Sequence, residues 1–451
     1  MQYDRYKVFE SQDMEKGQFD LVLEIEEKKL YVHKFYLITA SETLGAMLSD
    51  RWNTTPNEAI KIENYSYDDF YEFMCFIYCG TCALTNENIM ALTDMAEFYG
   101  VPLLKDYCDT FLCKTNNYVN IKNIEKMVEL AERYSLTKFT VALQRCIRQK
   151  VSSFVYDKNF INFEKSFVKF LAGVERYENV ESEFFEAVFK WAENQALIKK
   201  KMSEDENFNL QDAIKEELID FLPKIKFNAM SVVFIANNII RDKPYLFSTF
   251  ECYKILMGSK RYDRDNVLFK AVYELAEKEL NEKQKVSASD NFNFEDAIKC
   301  ELAEILPCID FNNMPLDFII SFILPDKTFL FSTSQLYGML ITSRRYLQEE
   351  AFFKAIYGLA EKEALEKQKG SSDDDFDVES AIKSALVDIL HSVKFEDMNL
   401  DFVIKFIIDK QFLFDYPQMY FILCNCRKQG SKNEEKLFQA VSDVFLFFYN
   451  K

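Results

Sequence analysis

A nine-residue phrase written three times at a constant interval constrains this chain more than any other feature. FEAVFKWAE at 185–193 returns as FKAVYELAE at 269–277 and as FKAIYGLAE at 353–361, a pitch of 84 residues. Phe185, Val188, Phe189 and Ala192 stand at i, i+3, i+4 and i+7, which stripes one face of a helix. Glu186 and Lys190 lie four apart on the other side, in the favourable Glu-before-Lys order. The phrase therefore predicts a helix with a core-facing stripe and a solvated back.

The interval reaches far beyond the phrase. Asp212-Ala213-Ile214-Lys215 recurs as Asp296-Ala297-Ile298-Lys299 and as Ser380-Ala381-Ile382-Lys383. Leu222, Leu306 and Leu390 keep step, as do Phe227, Phe311 and Phe395, Met230, Met314 and Met398, and Phe234, Phe318 and Phe402. Register slips by one residue only late, at Phe414, and a partial fourth copy shows as Phe438-Gln439-Ala440, 85 residues after Phe353. A small set of helices cannot bury its apolar stripe alone; copies stacked side by side build a continuous core. A pitch this long predicts four to six helices per copy, in a solenoid-like array closed by the shortened last copy.

Composition agrees. The 451 residues include 44 Phe but only 10 Gly and 8 Pro, which suits long helices and not a turn-rich β protein. A net charge of −18 argues against nucleic acid or an anionic membrane as the main partner, since both reward clustered Lys and Arg. The N-terminal MQYDRYKVFE has no apolar signal-peptide core, and no apolar run approaches the ~18 residues of a membrane span. The 11 Cys are then expected to be free thiols in a reducing setting, the cytoplasm or nucleus. Cys75, Cys79 and Cys82 cluster, but no second Cys pair or His stands at zinc-ligand spacing.

Three polar stretches, 199–211, 281–295 and 365–379, share one phase of the repeat and read as flexible loops on one side of the array. In the third, Asp373, Asp375, Asp377 and Glu379 imitate the start of a calcium loop. Val378 stands where that loop needs Gly and Ser384 where it needs Glu, which argues against calcium. Ser371 and Ser372, ahead of the Asp run, are candidate phosphorylation sites; the alternative is a solvating loop segment.

The first hundred residues differ in kind. FDLVLEIEEKKLYVHK at 19–34 alternates apolar and polar as a hairpin does, with EEKK as its turn. A helix is expected at 35–48 and a strand at 59–65. Ser66 with Asp69 opens a helix that Gly80 closes, and two more helices follow at 86–99 and 103–112. Together these make one α+β domain.

The order FDLVLEI, YVHKFYLITAS, AIKI, FMCFIYCG, LTDMAEFYGVPLLKDYCDTFL resembles the BTB/POZ domain. NIEKMVELAERYSLTKFTVALQRCI at 123–147 is similar to the helical extension that follows such domains. VESEFFEAVFKWAE at 180–193 with LPKIKFNAMS at 222–231 resembles the all-helical BACK domain. The implied organisation is mainly α: an N-terminal segment (1–16), an α+β BTB/POZ domain (17–117), then the helical extension with a first BACK-like unit (118–250). Second and third BACK-like repeats (251–334 and 335–418) and a partial repeat as cap (419–451) complete it.

The resemblance implies a substrate-recruiting adaptor of a cullin-RING ubiquitin ligase, in which the BTB domain holds the cullin. No propeller follows, so the helical repeats take the client. Relatives that bind a cullin carry a hydrophobic-x-Glu motif between Met47 and the next strand; here the site reads Trp52-Asn53-Thr54, with the anchor present and the Glu replaced. Trp52 reads either as that anchor or as a residue half packed on its own domain. The resemblance also implies a homodimer, with Asp20 and Lys34 as a charged pair near the dimer groove; the alternative is an ordinary ion pair supporting the hairpin. The competing reading is a dimeric scaffold that binds no cullin.

Signs of catalysis are few. His33 belongs to the BTB-like HK pair, and His391 takes the place of Pro223 and Pro307 in the other copies. No phosphate cradle, dinucleotide fingerprint, zinc-protease or nucleophile-elbow motif occurs. The chain reads as a non-enzyme with no cofactor and no metal.

Overall fold

A computed structural model describes residues 2–49, 59–114, 123–204, 207–286, 293–370, 376–426 and 432–449. The chain divides into two compact units, Met1–Lys226 and Phe227–Lys451.

The first unit holds a three-stranded sheet near its start. Strand β1 (Leu21–Ile25) pairs antiparallel with β2 (Lys28–Val32) and parallel with β3 (Ile60–Ile62). The hairpin turn is Glu26-Glu27 alone, both with left-handed φ (47° and 64°), the two-residue geometry that matches strand twist. Lys28 and Lys29, expected in the turn, belong to the strand. Leu23, Ile25, Leu30 and Val32 face the core.

Helix Tyr67–Cys79 begins at Ser66, whose side chain accepts from the Asp69 N–H (3.1 Å), and stops at Gly80 with φ 78°. Its Phe70, Phe73 and Met74 are fully buried. The single helix expected at 35–48 is instead two, Lys34–Ala40 and Glu42–Met47. Ser41 causes the break: its hydroxyl accepts from the Leu44 N–H and donates to the Tyr99 carbonyl, so it caps the second helix and ties it to the core. Helices Ile89–Phe98 and Pro102–Lys114 complete this part.

The following helix, Thr137–Val155, has no capping side chain of its own. The carboxylate of Asp109, buried in helix Pro102–Lys114, accepts from the N–H groups of Lys138 (3.0 Å) and Phe139 (2.7 Å). Two orphan donors of one helix are thus satisfied by a residue 29 or 30 positions earlier. This joins the α+β part to the helical extension.

The repeat is visible element by element. Long helices run Glu181–Met202, Asp265–Val286 and Glu349–Gly370, all of 22 residues with starts 84 apart. Shorter helices follow at Leu210–Leu218, Phe294–Leu302 and Val378–Leu386, capped by Asn209, Asn293 and Asp377. Each copy then carries a π-helical turn, Ile235–Arg241, Ile319–Ile323 and Val403–Ile407. It ends on a ten-residue helix with a capping box, from Ser248 and Glu251, Ser332 and Gln335, or Asp415 and Gln418. With the short α-turn that runs into each π-turn, this makes four helical segments per copy besides its 3₁₀ turns, within the expected range.

The polar stretches depart from expectation. The long helices continue through 199–202, 281–286 and 365–370 before the chain leaves helix. Lys, Glu, Gln and Ala are strong helix formers, and pairs such as Glu279–Lys283 (2.7 Å) and Glu363–Lys367 (2.8 Å) support the last turns.

Candidate functional site

The BTB-like charged pair is joined through the backbone. The Asp20 carboxylate accepts from the Lys34 N–H at 2.6 Å, at the first residue of helix Lys34–Ala40. An anion at a helix N-terminus is the favoured arrangement, and Asp20 here holds the hairpin to that helix. Next to it, His33 is fully engaged. Nε2 lies 2.9 Å from the Gly17 carbonyl, which can only accept, so Nε2 carries the proton. Nδ1 then accepts from the Tyr78 hydroxyl (2.8 Å), whose oxygen takes the His33 backbone N–H (2.8 Å). Both ring nitrogens are thus engaged with groups of their own domain.

Gly17 is required where it stands: a Cβ there would sit 2.2 Å from the Phe19 ring. Helix Gln2–Ser11 packs on helix Tyr67–Cys79 through Phe9, fully buried and stacked on Tyr71 (5.2 Å) and Tyr78 (4.5 Å). Tyr3 remains 65% exposed. Met47 is half-buried at the end of its helix. Trp52, Asn53 and Thr54 lie outside the described residues, as do Ser371 and Ser372.

Cys75, Cys79 and Cys82 line a cavity of about 480 Å³ together with Tyr3, Tyr6 and Glu72. Burial pushes the Cys75 thiol up to about 12, so it is a neutral thiol at physiological pH. Among the described residues no group of three or more His, Cys, Asp or Glu is placed to hold a metal ion. No described helix is long and apolar enough to cross a membrane.

In the repeats the structure assembles a feature that the pitch alone did not reveal. Arg176 donates to Glu181 and to the Lys224 carbonyl (3.1 Å). Arg261 donates to Asp265 (3.1 Å) and to the Cys308 carbonyl (2.7 Å). Arg345 donates to Glu349 (3.1 Å) and to the Ser392 carbonyl (2.6 Å). Each clasp ties the first residue of a long helix to the 3₁₀ turn 43 residues further on. In the first and third, the guanidinium also stacks over a ring, Phe184 at 3.9 Å and Phe352 at 3.6 Å. Leu268 takes the ring's place in the second. The signal was present as RY at 176, 261 and 345, but one residue out of register in the first copy.

A second repeated feature is a lysine held over aromatic rings. Lys327 lies 4.7 Å from the centre of Tyr273 and 4.5 Å from that of Phe322; Lys410 lies 4.9 Å from Tyr357 and 4.0 Å from Phe406.

A cavity of about 850 Å³ in the second unit is a groove beside helix Asp265–Val286. The π-turn Ile235–Arg241, the longest of the three, also lines it, together with Phe247, Cys252 and Phe318. π-turns inside helical structure recur at functional sites.

The sheet, the helices packed on it and the repeats beyond define a protein-interaction module followed by a helical array. The family comparison agrees: residues 9–116 match the BTB/POZ domain, and this part of the chain is a BTB/POZ domain. BTB/POZ domain-containing protein 9 of Bos taurus is 24% identical over 179 residues, 39% of this chain and 29% of that protein. Kelch-like protein 7 of Mus musculus is 20% identical over 244 residues, and Kelch-like protein 24 of Homo sapiens 20% over 246; both alignments cover 54% of this chain and 38% of the relative. The matched region thus spans about a third of the length of these relatives.

Proposed function

We propose that this chain is a client-recruiting adaptor of a cullin-RING ubiquitin ligase, its BTB/POZ domain holding the cullin and its helical copies holding the client. The observation that carries the reading is the order of parts: a BTB/POZ domain at 9–116, tied by Asp109 to a helical extension and followed by repeated helical copies. A homodimer through the BTB/POZ domain belongs to the same reading, as does a place in the cytoplasm or nucleus. Protein binding, without catalysis, is the role.

The second reading, a dimeric scaffold without a cullin, draws on Thr54, which stands where a cullin-binding relative has Glu. Loss of that carboxylate removes a charge-assisted contact. Calorimetric titration of the full chain with the N-terminal domain of a BTB-binding cullin separates the two. Sub-micromolar binding that Trp52→Ala weakens by about 1 kcal/mol or more supports the adaptor. Heat indistinguishable from dilution at tens of micromolar leaves the scaffold.

A further inference from the structure

We infer that the groove beside helix Asp265–Val286 is a docking site for one amphipathic helix of a partner protein. This rests on the reading of the helical copies as the client-binding part and gives that part a location and a ligand chemistry.

The groove has the length of such a helix. Its wall follows helix Asp265–Val286 from Asn266 to Glu282, a length of about 24 Å at 1.5 Å per residue. Along that wall Ala271 and Leu275 stand four apart, and Phe247 and Phe318 also line the cavity. An apolar row at i, i+4 and i+7 on the incoming helix meets this surface as helix-in-groove complexes do.

Charge selects the occupant further. Lys278 and Glu282 line the same groove, both exposed, and neither forms an ion pair among the described residues. A partner helix therefore fits best when an acid faces Lys278 and a base faces Glu282, one turn apart on its flank. A short loop or a nucleic acid strand offers no such alternation. At the end nearest the helix start, Asn266 also lines the groove.

Three fluorescein-labelled 18-residue peptides test the site against the full-length chain by fluorescence anisotropy. The first carries a Leu stripe at helical spacing with Glu four residues before Lys on its flank. The second exchanges those two charges, and the third scrambles the stripe. The expected result is that one charge order binds at least tenfold more tightly than the other, its identity reporting whether the helix docks parallel or antiparallel. The scrambled peptide should not saturate. The doubly reversed variant Lys278→Glu/Glu282→Lys, altered only at exposed side chains, should invert the preference; Leu275→Arg should abolish binding of both striped peptides. Equal affinity for the two charge orders, a preference unmoved by the double reversal, or no saturable binding by either striped peptide at 100 µM overturns the proposal. The cullin titration on the same preparations is independent: its failure with peptide binding intact removes the ligase and leaves the groove.

Discussion

The arginine clasp is built three times and buried to three depths. Side-chain exposure is 1% for Arg176 and 0% for Glu181, 13% and 4% for Arg345 and Glu349, but 28% and 16% for Arg261 and Asp265. The hydrogen-bond plan is shared, so the difference lies in what covers it. Arg176 also donates to the carbonyls of Leu171, Ala172 and Val174, satisfying the end of helix Lys165–Gly173. Burial draws its pKa down, and Glu181 opposes the shift. In the second copy, with Leu268 in place of a ring, the pair sits closer to water. One motif can thus be an internal strut in one copy and a surface latch in another.

That gradient can be broken in order. Arg176→Ala leaves Glu181 charged, buried and without its cation, and should cost about 3–5 kcal/mol of the first unit's stability. Hydrogen exchange of helix Glu181–Met202 and of residues 222–226 reads it locally. Arg345→Ala should cost about 2–3 kcal/mol, since the charged contact with Glu349 and the bonds to the Ser392 and Ile341 carbonyls are lost at a partly wetted site. Arg261→Ala should cost about 1 kcal/mol. Equal protection losses for the three would show that exposure does not govern the clasp.

The first unit can also be probed away from the clasp. Gly17→Ala drives a methyl into the Phe19 ring and should cost about 1–3 kcal/mol, read as a lower denaturation midpoint for the BTB/POZ domain. The smallest effect is electrostatic. Burial alone would raise the Glu217 carboxyl, but hydrogen bonds from Lys199 (2.6 Å) and Lys165 (2.9 Å) overcome it and hold the pKa below the usual carboxylate range. A lowered folded pKa contributes stability above the unfolded value, near 4.3, that is lost as pH falls through the folded value. Exchange protection of helix Leu210–Leu218 should therefore fall between about pH 5 and pH 3. Glu217→Gln should flatten that dependence.

Much of this was legible in the residues. The 84-residue pitch sets every long helix of the array, because an apolar stripe at helical spacing leaves little choice of element. Ser66 and Gly80 mark their helix ends, and the BTB/POZ order was readable throughout. What escaped depends on contacts distant in sequence. Ser41 breaks a helix because Tyr99 offers a carbonyl 58 residues away. Asp109 caps a helix it does not belong to. The clasp needs a carbonyl, which every residue has and no pattern advertises. The groove arises where the end of one copy meets the long helix of the next, a surface that no single copy encodes. At residue 34, the acceptor role of Asp20 toward the backbone was not readable.

The even spacing has a genetic consequence. Excising residues 265–348 would join Arg264 to Glu349, putting Glu349 where Asp265 now follows Arg261 by four positions. The reading frame, the clasp and the turn before the long helix would all be preserved at the new junction. A gain or loss of 84 residues in step with the repeat would therefore lengthen or shorten the array without creating a foreign seam. The number of copies is a heritable variable that selection can adjust while leaving the BTB/POZ domain untouched.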